Sequence, residues 1–144
     1  MPEFHASLAR SQRKLGVVLR SAGKDDDAEK AFRRSVDTQR GLVERFPKVP
    51  DYEMFLAESQ LSLGELLRDR DRLTEAKAVL AESIASQEKV LRVSENNLYA
   101  RRLLANQYQA MADTLLRMGE ATEAEEMRKK ADEYRLPYGK ESKG

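Results

Sequence analysis

One stretch of this chain is written twice. LARSQRKLG (Leu8–Gly16) returns as LAESQLSLG (Leu56–Gly64), with Leu, Ala, Ser, Gln, Leu and Gly in the same order 48 positions on. At that step Pro2, Ala28, Ser35 and Gln39 also meet Pro50, Ala76, Ser83 and Gln87, while Phe4, Phe32 and Val36 meet Tyr52, Leu80 and Ile84. A third copy follows, with Leu104, Ala105, Met111, Ala112, Leu115 and Ala124 in the places of Leu56, Ala57, Leu63, Gly64, Leu67 and Ala76. A fixed period over a whole sequence is the signature of a stacked repeat protein, because one unit cannot bury its apolar face alone.

Each unit reads as two helices. Apolar residues at spacings of three and four predict a first helix over 4–22, 52–70 and 97–118. Short breaks follow at AGKDD, DRDRL and MGEA, the second of them read as a solvated turn. N-cap chemistry predicts second helices starting at Asp26 (with Glu29), Thr74 and Thr122 (with Glu125). The prolines of FPKVPDY end the second helix of unit one, and Ser94 or Asn96 is expected to cap the first helix of unit three. These spans give one domain over 1–144, with repeats at about 4–48, 52–94 and 97–135 and a disordered tail at 136–144.

Composition narrows the classes of function. The chain has no cysteine, which removes thiolate nucleophiles, disulfide frameworks and cysteine-based zinc sites. A net charge of +1 argues against neutralising nucleic-acid phosphates or coating an anionic membrane. No apolar run is long enough for a bilayer span, and MPEFHAS lacks the pattern of a secretory signal, so a soluble cytoplasmic chain is expected. Chemistry has little to work with. His5 stands alone, the acidic run Asp25–Glu29 suits a helix dipole better than a metal ion, and no phosphate loop or nucleophile motif is present. The chain is expected to be no enzyme and to use no cofactor or metal.

The units resemble the tetratricopeptide repeat, whose pattern is W-x2-L-G-x2-Y followed by A-x3-F over about 34 residues. Here Gln12-x2-Leu15-Gly16-x2-Leu19 precedes Ala28-x3-Phe32, and Gln60-x2-Leu63-Gly64-x2-Leu67 precedes Ala76-x3-Leu80. Unit three reads Tyr108-x2-Met111-Ala112-x2-Leu115 and Ala124-x3-Arg128. Tryptophan is absent, and the longer period lengthens each helix by roughly 10 Å. The resemblance implies an all-α helical-repeat solenoid, three antiparallel helix pairs in a right-handed superhelix. The small residues at 16, 64 and 112, facing Ala28, Ala76 and Ala124, are expected to let the paired helices approach closely.

It also implies a function: a scaffold that binds a peptide or protein segment on the concave face of the first helices. Carried over, that face is Arg10, Arg13, Val17 and Arg20 in unit one. Unit two supplies Glu58, Leu61, Glu65 and Arg68, and unit three Asn106, Gln109 and Asp113. The charges predict a basic wall on the first helix beside an acidic wall on the third. Arg13 and Val17 stand where a carboxylate clamp of the family would place Lys and Asn, which argues against a receptor for chaperone tails. Similar long units are attached to larger bacterial signalling proteins, including protein kinases, so a regulatory or oligomerisation segment is the alternative. Its signs are an N-terminal helix without a polar coat and a start, MPEF, in register with the repeat boundary VPDY. A longer array, or self-association through that helix, is expected from them.

Overall fold

Proline opens two of the helices. Its fixed φ suits the first helical position, where its missing N–H leaves no bond unmade, and Pro2 and Pro50 occupy that position in a computed structural model that describes residues 1–135. Six helices follow in order: α1 (Pro2–Ser21), α2 (Asp25–Arg45), α3 (Pro50–Asp69), α4 (Leu73–Val93), α5 (Leu98–Arg117) and α6 (Ala121–Arg135). No strand occurs among the described residues. The expected tail at 136–144 lies outside them.

The turns inside the units are copies of one another. Gly23, Asp71 and Gly119 sit at the same repeat position, with φ of 77°, 62° and 82°. Next to each, Lys24, Arg72 and Glu120 donate their backbone N–H back to Leu19, Leu67 and Leu115 at 2.9 Å. This left-handed closure satisfies the carbonyls at the end of the first helix. It also corrects the expected caps: Asp26, Thr74 and Thr122 lie inside the first turns of α2, α4 and α6, which begin at Asp25, Leu73 and Ala121. The closing residue of one helix already serves as the N-cap of the next, so Lys24 and Arg72 hold that place without a side-chain cap bond. Between units two and three the cap is Asn97, rather than Ser94 or Asn96, and its side chain accepts from the Ala100 N–H at 3.0 Å.

Small residues set how closely the helices of a pair approach. A Cβ built on Gly16 would lie 2.5 Å from the Phe32 ring, and one on Gly64 would lie 2.6 Å from Leu80. The glycines thus make room for the large residue four places beyond the expected Ala28 and Ala76, which are themselves fully buried. Ser35 donates to the Ala9 carbonyl and Ser83 to the Ala57 carbonyl, both at 2.7 Å. Unit three departs at these positions, with Ala131 for the serine and Arg128 for the large apolar residue.

Each helix packs against its sequence neighbour, and α3 also touches α1 and α5. The first helices therefore stand side by side along one face of a helical repeat. The second helices are held apart by an intervening first helix and reach one another through long side chains, as Arg40 reaches Glu82 at 3.0 Å.

Candidate functional site

The face shared by α1, α3 and α5 carries two adjoining cavities. The larger, about 510 Å³, is lined by Arg13, Val17 and Arg20 of α1, Glu58, Leu61 and Glu65 of α3, and Leu103 of α5, among others. That volume is in the range of ligand clefts, about 300–1,000 Å³. The smaller, about 250 Å³, shares Arg13 and Glu58 and adds Arg10, Phe55 and Tyr99.

Six of the residues expected on this face thus line one cavity, and Arg10 lines its neighbour. The remaining four, Arg68, Asn106, Gln109 and Asp113, line neither. Arg68 lies 3.7 Å from Asp113, which accepts from Gln109 at 3.0 Å, and Gln109 in turn accepts from Arg135 at 3.0 Å. Asn106 is exposed. Phe55, Tyr99 and Leu103 are cavity residues that the family pattern does not mark. Phe55 and Leu103 share a repeat position, but Leu103 is itself buried in the core with Tyr108 and Met111, so that position gave no sign of a cleft.

The expected basic and acidic walls are not separate walls. Arg13 lies 3.7 Å from Glu58 and donates to Ser62 at 3.5 Å, while Arg20 pairs with Asp69. Arg10 lies 4.6 Å above the Phe55 ring, a cation–π arrangement. The charges of α1 and α3 therefore meet across the helix–helix contact and largely neutralise each other. Glu58 is engaged twice, since it also accepts from the Tyr99 hydroxyl at 3.0 Å.

Glu65 is the exception. It lines the larger cavity with no hydrogen bond and no ion pair. Burial, only partly offset by Arg68 and Arg20 nearby, holds its carboxyl above the ordinary carboxylate value.

Two acidic groups at the start of α2 are engaged by the next unit. Asp26 accepts from Arg70 at 2.6 Å, and Glu29 from Arg72 at 2.6 Å and Arg70 at 3.0 Å. Arg70 and Arg72 belong to the DRDR turn, which is exposed as expected at Asp69 and Asp71 and also joins unit two to unit one. His5 bonds the Met1 carbonyl at 2.9 Å on the surface. Among the described residues no cluster of three potential metal ligands occurs.

The recurrence of turn, glycine, serine and alanine at one step has an independent counterpart. The tetratricopeptide repeat family model matches residues 8–47 and 56–92, more than half of the chain. The chain belongs to the tetratricopeptide repeat family. Both matched tetratricopeptide repeats are units that keep the Leu-Gly pair and the large apolar residue opposite it. The third copy, outside the matched segments, has lost both. No curated protein matches the chain.

Proposed function

We propose that this chain is a non-catalytic scaffold that binds a peptide or protein segment along the face of its first helices. Tetratricopeptide repeats generally mediate protein–protein interaction. The observation that carries the finer reading is Glu65, a carboxylate set into a cavity with no hydrogen bond or close ion pair. A lysine or arginine of an extended segment would supply the missing charge there, since a desolvated anion gains most from a direct cationic partner. Val17, Leu61 and Leu103 offer apolar contact beside it. Arg10, Arg68, Asn106, Gln109 and Asp113 would flank such a segment. No cofactor or metal enters this reading. No described helix is long and apolar enough to cross a membrane, and a cytoplasmic setting suits the proposal.

Selection from a displayed random-peptide library tests it. The wild-type chain should enrich a basic residue beside an apolar one, and the Arg13→Glu/Glu65→Arg variant should lose that set. Identical sets from both would end the groove assignment. Affinity for a basic peptide should also fall on acidification, beginning above the usual carboxylate range, because Glu65 takes up its proton early.

A second reading, a regulatory or oligomerisation segment of a larger signalling protein such as a bacterial protein kinase, is favoured by the exposed apolar side chains of α1.

A further inference from the structure

Phe4, Leu8, Ser11, Leu15 and Val18 form one stripe on α1, at spacings of three and four. Phe4 is 64% exposed, Leu8 42%, Leu15 51% and Val18 64%. One repeat later the last four positions are Leu56, Ser59, Leu63 and Leu66, all buried. The three leucines share a core with Phe32 and Val36 of α2, and Ser59 lies 2.8 Å from Ser35, hydroxyl to hydroxyl. One repeat further still, Leu104, Gln107, Met111 and Thr114 are buried too, on the side where α5 meets α4. In units two and three a preceding second helix covers this stripe. In unit one it faces solvent.

The charges along the same edge follow suit. Across the first seam Arg72 donates to Glu29 at 2.6 Å, Arg33 to Glu75 at 3.5 Å and Arg40 to Glu82 at 3.0 Å. Across the second, Lys77 donates to Glu120 at 3.3 Å, using the repeat positions of Glu29 and Arg72 with the signs exchanged. Lys24, Asp27 and Arg34 hold the positions of Arg72, Glu75 and Glu82 one repeat earlier, and none of the three has an ion pair.

We propose that this edge of α1 receives an amphipathic helix from a protein partner, laid antiparallel to α1 in the register in which α2 lies on α3. The docked helix continues the two seams already present, and the unpaired charges state its chemistry. It carries an acid opposite Lys24, a base opposite Asp27 and an acid opposite Arg34. Between them it places large apolar residues in the positions of Phe32 and Val36, with a small residue facing Ser11. A second copy stacked head to tail does not meet this description. In α6 the positions of Phe32 and Val36 hold Arg128 and Asp132, joined to each other at 3.0 Å and to Glu125 and Arg135 at 2.6 and 2.7 Å. Pressing that network against Leu8 and Leu15 would bury charge on apolar surface, which is strongly unfavourable.

The test uses the full chain and a peptide with the 21-residue sequence of α2, Asp25–Arg45. The peptide carries Arg40→Glu and is stapled between positions 30 and 34, on its outer side, so that it is helical. Fluorescence anisotropy should show saturable binding, weakened at least tenfold by Leu15→Asp, a surface change that leaves the circular dichroism unaltered. Lys24→Glu should weaken binding several-fold, and Glu29→Lys in the peptide should restore it. Glu65→Arg, on the separate inner face, should have no effect. Absence of binding, equal binding to the Leu15→Asp chain, or no recovery on charge exchange would overturn the proposal. So would a dimer of the chain alone that Leu15→Asp disperses in sedimentation, since the stripe would then belong to a second copy.

Discussion

At positions 16 and 64 the residue must be the smallest one because a large side chain fills the space opposite. A methyl group on Gly16 would meet the ring of Phe32, which is buried and cannot swing aside. Overpacking of this kind costs about 1–3 kcal/mol, against a gain of about 1 kcal/mol in helix propensity. Gly16→Ala should therefore destabilise the chain in urea unfolding, and Phe32→Ala in the same chain should remove most of that penalty, a non-additive pair. The glycines were legible in the sequence as repeated letters, but their true neighbours were not, since alanines four residues earlier fit the same pattern. The groove divides in the same way. Offset positions on α1 and α3 were legible through the family resemblance, which marks one face of each first helix. Tyr99 and Phe55 were not, because nothing in an aromatic residue's spacing says whether it fills a core or lines a cleft.

Among the elements, the turn between α3 and α4 does more than reverse the chain. Its two arginines, Arg70 and Arg72, reach back to Glu29 of α2, which also pairs with Arg33 of its own helix. Burial works against the charge of Glu29, but the hydrogen bonds from Arg33 and Arg72 prevail and hold its carboxyl below the ordinary value. Asp69, bonded by Arg68 and Arg20, is lowered likewise. Carboxylates depressed on folding stabilise the fold above their unfolded values and lose that contribution as pH falls through the folded ones. The thermal midpoint should hold near neutral pH and drop below about pH 4, and Glu29→Gln should flatten the drop while lowering the plateau. Sequence reasoning saw the solvated turn but not its ion pairs, because partners more than 40 positions apart leave no local pattern. The caps were misplaced for a related reason. A capping box is a local signal, and it was overruled by a left-handed closure so short that no residue remains to act as a separate cap.

Over the whole molecule, the two ends are unlike. α6 finishes in a lattice of ion pairs, whereas α1 presents uncharged leucine, valine and phenylalanine. Converting one end should therefore join the molecules. Arg128→Leu with Asp132→Val restores to α6 the apolar pair of the earlier units, and keeps Glu125 and Lys129 at the positions that would face Lys24 and Asp27. That variant should form concentration-dependent head-to-tail chains in light scattering, because a heterologous contact that does not close propagates. The wild type, with its polar end intact, should not. The exchanged signs at the two internal seams have a consequence of another kind. Arg72 sits on Glu29, but Glu120 sits on Lys77. A duplicated middle unit would set Arg72 against Lys77, and an array missing its middle unit would set Glu120 against Glu29. Modules of one pattern are thus numbered by polarity, so that a chain built of repeats still has only one favourable order of assembly.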